Sequence, residues 1–245
     1  SAYDAETGKL AWRFYTVPPA KGAKPDGAAS DEIIAKMQDT WDGDYAKFGG
    51  GGTVWDAIVY DKEFDQVLIG VGNGSPWNHR IRSNGKGDNL FISSVVALDA
   101  NTGKYKWHYQ GTPGETWDFT QTQPIILASL KIDGVDRKVM MQAPKNGFFY
   151  VIDRSNGKLI SAKNFVSQNW TTGVDMATGR PVETPGARFE KANFIANPSG
   201  HGAHNWQPMA FSPQTNLVYI PAQEVPMAYQ SSSPFVPREI GRAHV

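Results

Sequence analysis

An Asp-x-x-x-Gly-Lys turn between two short strands recurs along this chain, and a repeated hairpin limits the possible folds more than any other feature. The copies run from Ala2 to Trp12, from Ala97 to Trp107 and from Val151 to Ser161. In each, an acid (Asp4, Asp99, Asp153) can accept backbone amides in the turn. A glycine (Gly8, Gly103, Gly157) supplies the positive φ that closes it. Trp12 and Trp107 then fall on the second strand. Further strand pairs lie between the copies: 53–60 with 66–71, 125–130 with 138–143, and 207–211 with 217–221. Repeated sheets with few helical patterns predict an all-β fold, a propeller in preference to a sandwich, with roughly three to four blades present.

One helix is expected in the insertion 18–47. Ser30 is placed to cap it, Asp31 and Glu32 suit its positive end, and Ile33, Ile34 and Met37 form one apolar face. Segments 75–93 and 166–203 are rich in Gly, Asn and Ser and read as loops, which on a rigid scaffold often carry function.

Charge narrows the partners. The 245 residues carry 24 basic and 24 acidic side chains, so neither nucleic acid nor a membrane surface is indicated. No apolar run is long enough to span a bilayer. Cysteine is absent, which removes disulfides and thiolate metal sites from this stretch, while 8 Trp and 25 Gly suit wide sheet interfaces and tight turns. No signal peptide is visible and the first residues read as mid-strand, so the chain is expected to begin inside a longer protein. Residues 1–238 are expected to form one partial propeller domain, and 239–245 a non-native tail.

Several loops could hold chemistry. Gly49 to Trp55 is either a flexible turn before a core Trp or a backbone that lets a flat ligand approach and stack on Trp55. Asn73 is either a turn residue or an amide oxygen for a hard cation. Asp118 lies among aromatic residues, where an ionised acid needs a metal or a cation. Lys145 ends an apolar strand, from which a lysine ordinarily snorkels to water. Asn205 and Trp206 follow His201 and His204, but two histidines without a third ligand at sensible spacing do not make a zinc site.

In this order, these stretches resemble the PQQ-dependent (quinoprotein) alcohol dehydrogenases, especially the ethanol-type quinohaemoproteins. The resemblance runs from Ser1 to about Tyr229 and is sharpest in 50–61, 70–77, 87–91, 97–110, 112–124, 143–154 and 202–209. It implies about half of an eight-bladed propeller with one short inserted helix. It also implies oxidation of primary alcohols to aldehydes by hydride transfer to calcium-bound pyrroloquinoline quinone (PQQ). By position, Trp55 resembles the indole that stacks on the quinone and Thr53 a side chain that bonds its rim. Asn73 resembles a calcium ligand. Asp118 resembles the catalytic general base, at or near the calcium. Lys145 resembles the cation on the reactive quinone oxygens, and Asn205 and Trp206 further contacts to the cofactor. Thr120 stands where lanthanide-dependent relatives carry a second acid, which favours Ca2+.

The family's glutamate ligand and adjacent-cysteine disulfide would lie upstream of Ser1. A periplasmic location, a haem c in a further C-terminal domain, a small alcohol substrate and a cytochrome c or similar acceptor are implied as well. A non-enzymatic propeller scaffold of the bacterial envelope would need the hairpins, but not Asn73, Asp118 and Lys145 together. A sugar or aldehyde quinoprotein would carry different groups, and the Trp117-Asp118 element favours the alcohol class.

Overall fold

The repeated turn forms as its composition dictates. In all three copies the glycine amide closes on the aspartate carbonyl, at 2.9, 2.9 and 2.8 Å, with φ of 67°, 70° and 78° at Gly8, Gly103 and Gly157. The aspartate side chain accepts the amides of Thr7, Thr102 and Ser155 in turn. A fourth copy, Asp175 to Arg180, departs from the repeat in having Arg180 in place of the lysine. Its Gly179 amide reaches Asp175 O at 2.7 Å.

In the computed structural model of the protein, which describes residues 1–231, these turns belong to antiparallel sheets. One four-stranded sheet runs Ile58–Asp61, Gln66–Gly70, Ser94–Asp99, Tyr105–Gln110. The next runs Ile126–Ile132, Val135–Gln142, Phe148–Asp153, Leu159–Asn164. Two-stranded pieces flank them: Ala2–Tyr3 with Leu10–Trp12 before, and Thr171–Asp175 with Arg180–Glu183, Phe194–Ala196 with Met227–Tyr229, and Ala210–Ser212 with Leu217–Tyr219 after. This is the partial propeller expected, with two full sheets among the described residues. The proposed tail at 239–245 lies outside the described residues.

The sheets face each other across an apolar core. Leu68, Val95, Ala97, Trp107 and Tyr109 of the first meet Met140, Phe148, Tyr150 and Ile152 of the second. At its outer edge the Trp107 ring lies on Gly157 of the next sheet, where a Cβ would sit 2.6 Å from Cε3. Trp12 lies in the same way on Gly103, at 2.5 Å. Only glycine lets an indole come so close to the backbone.

Four expectations need correction. Ser30 does not cap the helix. It lies inside a 3-10 turn, Ala29–Ile33, that leads into the α-turn Ile34–Gln38, and its Oγ accepts the Tyr15 amide instead. Segment 75–93 is not all loop, since Asn78 caps a second short helix, His79–Ser83, by accepting the Arg80 amide. The strand expected from residue 53 starts only at Ile58, and 166–203 contains a hairpin.

Two predictions follow from the exposed and docked faces. Gly8→Ala meets only the cost of positive φ, about 1 kcal/mol, because nothing lies within 4 Å of the new Cβ. Gly157→Ala must also displace Trp107 and should cost about 3 kcal/mol in urea unfolding. Equal losses would show that the indole contact does not couple the sheets. Ile58, Tyr60, Ile195 and Leu217 leave more than half of their surface exposed on strands. The 245-residue chain expressed by itself should therefore self-associate, and a monodisperse monomer in sedimentation velocity would contradict this.

Candidate active site

An antiparallel meander sends the link between its second and third strands, and the link to the next sheet, to the end opposite the Asp-Gly turns. The candidate residues sit in those links. Asn73 stands three residues after Gly70 and Lys145 three after Gln142, each at the end of a second strand. Asp118 lies in the crossing between the two full sheets.

Backbone and side-chain hydrogen bonds link the loops one to the next in a ring. The Gly52 amide bonds Asn73 O at 2.9 Å and the Gly72 amide bonds Thr53 O at 3.0 Å, so Thr53 and Trp55 lie against the Asn73 turn. Glycines are required here: a Cβ on Gly51 or Gly72 would strike backbone within 2.8 Å. The Gly74 amide reaches Glu115 Oε2 at 3.2 Å, and the Phe119 amide reaches Glu115 Oε1 at 2.9 Å. Lys145 Nζ donates to Asp118 Oδ2 at 3.0 Å and to Asp118 O at 3.2 Å. The Ala203 amide bonds Lys145 O at 3.0 Å, and Gly202 lies flat on the lysine stem. His204 then acts electrostatically on Asp56, beside Trp55.

The electrostatics of the ring centre on one pair. The Lys145 and Asp118 side chains are 8% and 16% exposed, so the lysine does not snorkel. Burial raises the Asp118 carboxyl above its ordinary range, and Lys145 and His201 pull it back. Asp118 adopts φ 65°, a left-handed backbone that a non-glycine residue holds only under constraint. The constraint is visible: Tyr229 Oη donates to Trp117 O at 2.7 Å and accepts the Gly200 amide at 2.6 Å. Arg188 stacks over Trp117 and donates to Gly114 O at 2.7 Å.

Some polar atoms of the ring have no partner. Asn73 donates through Nδ2 to Gly74 O, and among the described residues no hydrogen bond reaches Asn73 Oδ1 or Asp118 Oδ1. Asn205 donates to His201 O while its Oδ1 is buried without a hydrogen bond. Trp55 and Trp206 are 44% and 62% exposed. His204 bonds the carbonyls of Ala143 and Gln207, a structural duty. No cluster of three or more His, Cys, Asp or Glu side chains suited to a metal occurs among the described residues. Two clefts of about 490 and 590 Å³ share no residue with this ring.

Sequence reasoning missed Glu115 and Arg82. Both are fully buried, and burial pushes the Glu115 carboxyl up to about 7 against the pull of Arg82. An acid inside Gly114-Glu-Thr-Trp-Asp-Phe119 was the available signal for the first. Arg82, in a segment taken for loop, gave none.

A family model described as the PQQ glucose/ethanol/alcohol dehydrogenase β-propeller domain matches residues 1–191. The chain is 59% identical over 232 residues to the quinohemoprotein alcohol dehydrogenase ADH IIB of Pseudomonas putida, covering 94% of this chain and 33% of that protein. The solved quinohemoprotein alcohol dehydrogenase ADHIIG of Pseudomonas putida HK5 superposes with a TM-score of 0.91 at 53% identity, over 96% of this chain and 34% of the other. A solved europium-containing methanol dehydrogenase gives 0.81 at 33% identity, over 93% and 40%. The chain thus spans about a third of the length of the curated relatives it matches.

The Lys145–Asp118 pair can be tested by itself. Lys145→Met leaves a buried carboxylate unpaired and should cost about 3 kcal/mol at neutral pH. An acid whose folded pKa is raised binds its proton more tightly in the fold than in the unfolded chain. The penalty should therefore shrink as pH falls toward the ordinary carboxylate range. A pH-independent loss in thermal unfolding would show that Asp118 does not depend on the lysine.

Proposed function

We propose that this chain, which belongs to the PQQ glucose/ethanol/alcohol dehydrogenase β-propeller family, supplies the catalytic loops of an enzyme that oxidises primary alcohols to aldehydes. The observation that carries the reading is the buried Lys145–Asp118 pair, in one ring of loops with the Asn73 turn and two exposed indoles. The fold buries a second pair, Arg154 with Asp61, but that one ties the two full sheets together, whereas Lys145–Asp118 stands in loops, where burying two charges costs desolvation that their attraction barely offsets.

The residues fit the group that the family takes. Asn73 and Asp118 offer unengaged oxygens, the hard donors that suit calcium. Thr120 is neutral and accepts hydrogen bonds from Thr122 and Gln123. It adds no negative charge, which favours Ca2+ over a trivalent ion such as the europium in one relative's name. Two protein oxygens are fewer than the roughly six to eight that calcium takes, so the remaining ligands fall to the cofactor and to residues outside this chain. Trp55 and Trp206 offer flat faces to a fused-ring quinone, and Thr53 and the unpartnered Asn205 Oδ1 offer polar contacts to its rim. Bound there, PQQ with calcium would supply a two-electron acceptor for the hydride of the alcohol carbon.

The side chains do the rest. Asp118 accepts the hydroxyl proton on its carboxylate, while Lys145 holds Oδ2 and favours the ionised form against burial. The ammonium also offers positive charge to oxygen charge that develops beside it. The bonds to Trp117 O and the Phe119 amide hold the strained Asp118 backbone, so the base does not reorganise on proton transfer.

For the whole protein, the likeness to enzymes named quinohemoproteins supports a haem c in a further domain and a cytochrome c or similar acceptor. The proposed location is the periplasm. No helix among the described residues is long and apolar enough to cross a membrane.

The test uses the full-length protein with added PQQ and Ca2+, assayed by dye reduction with primary alcohols. Asp118→Ala should lower turnover at least about 100-fold while most of the PQQ stays bound. Alcohol oxidation by that variant within a few fold of the parent would refute the assignment of the base.

A further inference from the structure

We propose that Glu115 is a positioning residue whose two carboxylate oxygens hold the Asn73 turn and the Asp118 turn at one separation, and so set the spacing of the oxygens offered to calcium. The inference rests on the functional reading above and deepens it. Its geometry is specific. Oε2 accepts the amide of Gly74, the residue after Asn73, and Oε1 accepts the amide of Phe119, the residue after Asp118. One rigid carboxylate thus spans two loops that come from different strand ends. Two further ties run between the same segments, the Gln121 amide on Val71 O at 3.1 Å and Ser93 between Gly72 O and Phe119 O. It is the carboxylate, however, that takes the amides following Asn73 and Asp118.

Arg82 holds the backbone of Glu115 in place. Its guanidinium donates to Glu115 O, to Pro76 O and Trp77 O at 2.6 and 2.9 Å, and to Asn89 Oδ1 at 2.9 Å. Gly74 lies directly on the guanidinium, where any Cβ would overlap it. The Asn73 turn is therefore gripped from both sides, by an arginine beneath Gly74 and a carboxylate at its amide. Both charged side chains are fully buried, so water cannot substitute for either bond.

The carboxylate is needed as such. Glutamine has the same shape but only one acceptor oxygen, and its NH2 would face one of the two amide N–H groups. Glu115→Gln must release one turn. Glu115→Asp keeps both acceptors but is one methylene too short to reach both amides.

The experiment uses full-length protein loaded with PQQ and stripped of calcium, titrated with Ca2+ and followed by PQQ absorbance. Hydrogen exchange of peptides spanning residues 70–76 and 115–121 is measured in parallel. Both variants should bind Ca2+ about 10- to 100-fold more weakly, exchange the Gly74 or Phe119 amide faster, and lose kcat with little change in KM for alcohol. Folded variants that match the parent within twofold in calcium affinity and kcat would overturn the role of Glu115 and leave the functional reading standing. Failure of both variants to fold would assign Glu115 to the fold and also overturn the proposal. A parent protein that takes up no calcium with PQQ would remove the reading and this inference together.

Discussion

The flat contact between an indole and a glycine of the next sheet governs this structure. A propeller sheet cannot bury its faces alone, and adjacent sheets must meet at a repeatable distance. Trp107 on Gly157 and Trp12 on Gly103 set that distance at the outer edge, because the ring rests on bare backbone. Gly8 carries the same φ with nothing above it, so the turn geometry and the docking are separable demands on one residue type. Once the outer edges are in register, the loops at the opposite end of the strands are in register too. That is where the candidate chemistry stands.

Equivalent positions in successive sheets then carry different chemistry. Asn73 and Lys145 occupy the same place after a second strand, one presenting an amide oxygen and the other an ammonium. The scaffold repeats while the loops diverge, and the hydrogen bonds that run from Thr53 through Asn73, Glu115, Asp118 and Lys145 to Ala203 join loops that no single sheet could bring together. The left-handed Asp118 completes this arrangement. In an ordinary extended conformation its carboxylate would not share one lysine with its own carbonyl.

Sequence alone revealed the elements governed by local rules. The Asp and Gly of each hairpin act through bonds a few residues apart, so the pattern exposed the turns, the strands around them and the fold class. The fourth copy departs from the pattern only in having Arg180 in place of the lysine, although the turn needs no particular cation there. Ser30 misled because serine before an acidic pair has the look of a cap, yet its hydroxyl is committed to Tyr15 across the chain. Lys145 defied the rule that strand-end lysines reach for water, because Asp118 buries alongside it. Glu115 was invisible for a deeper reason. Both of its partners are backbone amides, distant in sequence or identity-blind, and an amide N–H leaves no trace in the amino-acid code.

The distribution of unfavourable terms is itself an argument for where function lies. A buried ion pair does not stabilise a fold more than an apolar pair of similar volume. A non-glycine residue at positive φ, a buried acceptor with no donor and two indoles open to water each add cost without visible return in packing. Asp118, Asn205, Trp55 and Trp206 bring several of these costs into one ring of loops, although others lie elsewhere, among them the buried Arg154–Asp61 pair and the unpartnered Trp107 Nε1 between the full sheets. Sequences are locally consistent except where a site demands otherwise. The fold tolerates these departures because Glu115, Arg82, Arg188 and Tyr229 brace the loops from behind, and such bracing is wasted unless the side chains in front must meet a ligand in a single geometry.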